Sequence, residues 1–146
     1  MRKSDTKIIS LSVPMKNIVW NTYIIMLYSM WEKIKYNRTY TKIIKYGKRL
    51  YGKYLNLYYI HDQEFQKDLM LGIIVGKKVG NAVKRNKIKR WIREYFNLYS
   101  KDIGSAGAYV FIAQKSSNLA SWNEIKKDIS LLIEKTKPRI YTYRHR

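Results

Sequence analysis

Residues 77–93 carry eight bases and no acid; the first carboxylate after them is Glu94. The bases are Lys77, Lys78, Lys84, Arg85, Lys87, Lys89, Arg90 and Arg93. Helical spacing of 100° per residue puts Asn86, Lys89, Arg90 and Arg93 on one arc, with Lys87 bordering it. Like charges this close cost a few tenths of a kcal/mol per pair. A ribose-phosphate polymer turns that cost into attraction by counterion release, and the Arg90 and Arg93 guanidinium groups can hold a phosphate bidentately. Asn86 adds an amide able to order its basic neighbours or to contact RNA. No comparable material exists for side-chain catalysis. Cysteine is absent and only His61 and His145 are present. The acids are scattered, with Asp62, Glu64 and Asp68 in one turn and Glu124, Asp128 and Glu134 along a helix. A metal-dependent nuclease needs carboxylates that converge, so the expectation is no catalytic residue and no metal held by the protein. The His61-Asp62-x-Glu64 cluster is read as a polar turn.

The elements that position these bases follow from periodicity and punctuation. A short helix is predicted over 37–46, ended at Gly47. The Tyr- and Leu-rich run 50–60 reads as one strand and 69–75 as a buried strand. A glycine-flanked loop over 76–80 leads into the longest helix, 81–99, with Asn81 as its cap. That helix buries Ile88, Trp91, Ile92, Tyr95 and Phe96. A third strand covers 109–113. A last helix covers 122–136, with Ser121 and Glu124 spaced as a capping box. The order α-β-β-α-β-α implies a small sheet with helices against it.

Length and charge set the class. The chain has 146 residues, 46% of them hydrophobic, with 30 Lys+Arg against 10 Asp+Glu and a formal net charge of +20. That is one domain with a real core and a polyanionic partner, either nucleic acid or an anionic membrane surface. The apolar stretch Ile18–Trp31 would span roughly 21 Å as a helix, short of a bilayer core of about 30 Å, and no cleavage site of a signal peptide follows it. Residues 1–32 are therefore read as an N-terminal extension, with translation expected to start at Met26 or Met30 rather than Met1. Residues 33–137 form the domain, and 138–146 a basic tail.

The segment Lys77-Lys78-Val79-Gly80-Asn81-Ala82-Val83-x-Arg85-Asn86-Lys87-Ile88-Lys89-Arg90-x-Ile92-Arg93 resembles the signature of the protein subunit of bacterial ribonuclease P. That family has an Arg-Asn-Arg centre; Arg85 and Asn86 match it, and Lys87 keeps the charge without the planar fork. The resemblance extends over about residues 33–137 and implies an α/β (α+β) two-layer sandwich like domain 2 of ribosomal protein S5, with a left-handed βαβ crossover. It implies a protein that assembles with a large catalytic RNA and helps remove the 5′ leader of precursor tRNA by hydrolysis of one phosphodiester, leaving a 5′-phosphate. Mg²⁺ held mainly by the RNA activates the water, so the chain is a subunit of an endonuclease with no catalytic side chain of its own. Implied RNA contacts are Lys77, Lys78, Arg85, Asn86, Lys87, Lys89, Arg90 and Arg93. Implied leader contacts are Tyr40 and Tyr58, with Lys53 placed on the same strand to reach leader phosphates. A third aromatic position of the family is Ile44 here. A cytoplasmic location, no membrane contact and no small-molecule substrate complete the expectation. The competing reading is an RNA-binding protein of ribosomal type.

Overall fold

The structure, a computed structural model, describes residues 31–61, 69–103 and 107–137. The apolar stretch before Trp31, the acidic turn at Asp62 and Glu64, and the basic tail lie outside the described residues. Five strands form one sheet in the order β1-β4-β5-β3-β2. They are β1 (Trp31–Lys33), β2 (Lys48–Tyr51), β3 (Leu55–Ile60), β4 (Leu69–Ile74) and β5 (Gly107–Ala113). The helices are α1 (Asn37–Tyr46), α2 (Ala82–Ile103) and α3 (Trp122–Thr136), with short 3-10 turns at Lys77–Val79 and Lys115–Leu119. β4 and β5 are parallel neighbours joined through α2, β1 adds in parallel to β4, and β3 and β2 complete the other side in antiparallel register.

The period-2 alternation of the strands builds two cores. Leu55, Leu57, Tyr59, Leu69, Leu71, Tyr109 and Phe111 point to the face covered by α2 and α3, where Ile88, Ile92, Phe96, Ile125 and Ile129 meet them. Ala108 and Val110 point to the other face with Ile34 and Ile43, the last on α1. A mixed five-stranded sheet with α1 on one face and α2 and α3 on the other is an α+β fold.

The run 50–60, read from sequence as one strand, is a hairpin. β2 pairs with β3 in the register Arg49↔Tyr58 and Tyr51↔Asn56. The chain turns at Gly52–Tyr54 because buried Asp128 of α3 accepts the backbone N–H groups of Lys53, Tyr54 and Leu55 at 2.9–3.0 Å. β1 was not expected, since Trp31 was assigned to the apolar extension. Trp31 instead packs edge-on against Phe96 (centroids 6.2 Å apart) and donates its indole N–H to Asn97 Oδ1 at 2.8 Å. The sheet therefore begins two residues before the boundary placed at 33.

Candidate nucleic-acid interface

The basic helix is held at its start by two local devices. Gly80, at φ +157°, turns the chain out of the 3-10 turn in a backbone region that favours glycine. Asn81 then accepts the Lys84 N–H on its side-chain oxygen at 2.9 Å, the cap expected from sequence. Lys84 donates its ammonium to the Asn118 backbone oxygen at 2.9 Å and to Asn118 Oδ1 at 2.6 Å, which ties α2 to the turn before α3. Ile88, Ile92, Tyr95 and Phe96 are buried and Trp91 is half-buried, so the helix seats itself as its periodicity predicts. The helix continues past 99 to Ile103, with Tyr99 (φ −122°, ψ 19°) interrupting its geometry.

Asn86, Lys87, Arg90 and Arg93 are exposed, Lys89 and Arg85 half-buried, and Lys77 and Lys78 exposed on the preceding turn. Two members depart from a single stripe. The Lys87 ammonium lies 5.4 Å from the centre of the Trp91 ring, on the flank facing α3, while Lys89 and Arg93 lie on the flank facing β1. Arg85 has a buried Nε with no hydrogen-bond partner among the described residues.

Tyr40 and Tyr58 share the sheet face under α1. Tyr58 lies opposite Arg49 on one side and Val110 on the other, and Val110 lies opposite Gly72. The Tyr40 ring covers Gly72 so closely that a Cβ there would fall 2.5 Å from Tyr40 Cε1. Glycine at 72 is thus the seat of Tyr40. The two tyrosines are separated by two strand spacings, about 10 Å. Both are half-buried against the core of this face, and Ile44 is half-buried on α1. Both tyrosines pack against this core without being fully buried.

β1 ends early, with the Ile34 N–H donating to Leu71 O at 2.9 Å. Beyond it, at the edge of β4, a notch of about 100 Å³ is lined by Trp31, Lys33, Tyr40, Leu71, Ile73, Lys89 and Arg93. Tyr40 from one face and the basic helix from the other meet there.

Lys53 corrects the sequence reading. It is exposed in the β2–β3 turn rather than on a strand, its ammonium 5.3 Å from the Tyr54 ring centre. Arg49 was missed, because a single strand beginning at 50 left it outside the site. Its guanidinium carbon lies 5.3 Å from the Tyr51 ring centre and 5.8 Å from that of Tyr58. A hydrogen bond to Tyr58, with the fields of Tyr51 and Tyr58, pushes its pKa above the ordinary guanidinium value. Among the described residues no group of three His, Cys, Asp or Glu side chains could hold a metal ion. No helix among them is long and apolar enough to cross a membrane.

The family model for Ribonuclease P matches residues 30–137. This chain belongs to the ribonuclease P protein family. The ribonuclease P protein components of Bacillus pumilus and Oceanobacillus iheyensis are 35% and 38% identical over 105 and 103 residues. Those alignments cover 72% and 70% of this chain and 87% and 84% of the relatives. Among solved structures, the Staphylococcus aureus RNase P protein superposes with a TM-score of 0.66 at 32% identity, covering 72% of this chain and 94% of that one. The Thermotoga maritima RNase P protein gives 0.65 at 25% identity, covering 73% and 98%. The family match starts at residue 30, just before β1, and decides against a ribosomal-type module.

Proposed function

We propose that this protein assembles with a catalytic ribonuclease P RNA in the cytoplasm and presents the 5′ leader of precursor tRNA to it. The exposed residues Lys77, Lys78, Asn86, Lys87, Arg90 and Arg93, with Lys89 and Arg85, grip RNA phosphates. Tyr40 and Tyr58 stack leader bases on the α1 face, a contact of about 1–3 kcal/mol per base. Arg49, in register with Tyr58, and Lys53, at the hairpin turn, supply cations along that path. The supporting observation is the notch at the β4 edge, where Tyr40 meets Lys89 and Arg93. One strand of RNA can pass from the stacking face to the basic helix without leaving the protein.

In this reading the protein is the subunit of an endonuclease whose hydrolytic step belongs to the RNA. Mg²⁺ held by the RNA would supply the activated water; the protein's own part is to bind and align. The test is leader cleavage of precursor tRNA by a catalytic ribonuclease P RNA at low Mg²⁺, with and without this chain. The expected result is a clear gain in cleavage with the protein present and no cleavage by the protein alone. Equal cleavage with and without it overturns the reading.

A further inference from the structure

At the far end of the sheet from the Lys77–Gly80 turn, a cavity of about 460 Å³ opens between α1, the β2–β3 hairpin and the end of α3. A six-residue strand separates the two ends, about 20 Å. Lys48 from β2 and Lys135 and Lys137 from α3 and its cap line it, together with Tyr46, Tyr59 and His61. Among the described residues no aspartate or glutamate lines it. At its mouth the Lys45 ammonium lies 5.4 Å from the centre of the Tyr46 ring.

We infer that this cavity is a phosphate-binding pocket, formed by the ammonium groups of Lys48, Lys135 and Lys137 around His61, and separate from the basic helix and the stacking face.

Three observations carry it. The lysines come from two elements distant in sequence. A helix C-terminus gains from one nearby cation through its dipole, which accounts for Lys135 and leaves the approach of Lys48 unexplained. Among the described residues every formal charge on the cavity lining is positive. His61 is exposed by surface area, and partial desolvation of its ring first, then the charge of Lys48, holds it below the ordinary histidine pKa. The imidazole is also fixed in place, with its Nε2 2.6 Å from the Tyr109 hydroxyl and its ring 5.1 Å from the Tyr59 ring centre. An anion entering such a site meets lysines supplied by two elements and strengthens its hold as His61 takes up a proton. Among the described residues the titratable groups around His61 are Lys48, Tyr59 and Tyr109, with Tyr46, Lys135 and Lys137 on the same cavity, and none of them is a carboxylate.

The phosphate can belong to an RNA strand or to a small free phosphate, and the experiment separates them. The His61 imidazole is titrated by NMR in the full chain, assigned with a His145→Gln variant. Titrations are run alone, with inorganic phosphate, and with a short single-stranded oligoribonucleotide. The expected result is an upward shift of the His61 midpoint by about half a pH unit or more on binding, absent in the Lys48→Ala/Lys135→Ala double variant. A shift with the oligonucleotide at far lower concentration than phosphate assigns the pocket to RNA; a shift with phosphate alone assigns it to a free anion. An unmoved midpoint in both titrations, or a shift that persists in the double variant, overturns the inference. Arg93→Ala leaves the His61 shift intact while weakening binding at the basic helix, so failure here is distinguishable from failure of the proposed function.

Discussion

Single side chains decide whether this surface reads RNA or merely packs. Tyr58→Ala is expected to weaken binding of precursor tRNA with a leader by about 1–3 kcal/mol and to leave mature tRNA unaffected. Equal losses for both would assign Tyr58 to the core. Gly72 offers a sharper test of Tyr40. An alanine there cannot coexist with the ring as placed, so Gly72→Ala should reproduce the leader-binding loss of Tyr40→Ala. The double variant should lose no more than either single one, since both act through one contact; additive losses would refute the seat. His61 gives a pH signature. Its folded pKa lies below the ordinary 6.5, so its neutral form favours the fold. That contribution is complete above pH 6.5 and is lost as pH falls below it. Protonation also makes both ring nitrogens donors, so Nε2 can then only donate to the Tyr109 hydroxyl. Urea midpoints for wild type and His61→Gln should converge as pH drops from 7.5 to 5; parallel curves would exclude the effect.

At the scale of elements, the hairpin and α2 are both set by polar groups anchored outside themselves. Asp128 is nearly buried and accepts three backbone donors of the β2–β3 turn. Removing its carboxylate leaves those N–H groups unpaired, at about 1–3 kcal/mol for a buried donor. Asp128→Ala should therefore lower stability by about 3 kcal/mol, while exposed Lys53→Ala, in the same turn, leaves the urea midpoint unchanged. The basic helix behaves differently, because its exposed arginines contribute charge rather than packing. Arg90→Ala and Arg93→Ala should each flatten the salt dependence of RNA binding by about one unit of log–log slope with little change in thermal midpoint. Slopes equal to wild type would remove the phosphate contacts from this face.

For the whole molecule, the placement of α1 and α2 on opposite faces matters more than either helix. It puts the Tyr40 and Tyr58 rings and the basic helix on different sides of one sheet, and the short β1 leaves the edge of β4 open where Tyr40 meets Lys89 and Arg93. Closing that edge should uncouple the two. A bulky substitution at the notch, Ile73→Trp, is expected to leave catalytic RNA binding in place and to reduce leader-dependent cleavage. Loss of both together would show that the notch is only a packing fault. The net charge of +20 makes the assembly strongly salt-dependent, so these comparisons belong at one fixed ionic strength.

Much of this was legible in the residues themselves. The acid-free run from Lys77 to Arg93 announces a polyanion, the apolar arc of Ile88, Ile92, Tyr95 and Phe96 says which side of α2 is buried, and Ser121 with Glu124 sets the start of α3. These are local properties, fixed by helical period and by side chains a few residues apart. The hairpin within 48–60, the parallel edge strand at Trp31–Lys33, the seat that Gly72 makes for Tyr40, and the meeting of Lys48 with Lys135 were beyond such a reading. Each depends on a partner from a distant part of the chain: Asp128 for the turn, Asn97 and Leu69–Leu71 for β1, the register Tyr58↔Val110↔Gly72 for the cleft floor. Sequence alone determined that the partner is a polyanion and which side of α2 is buried, because charge and periodicity are carried by neighbouring residues. Only the tertiary structure brought Tyr40, Lys89 and Arg93 together at the open edge of β4, because that meeting is made by elements paired and packed across the sheet.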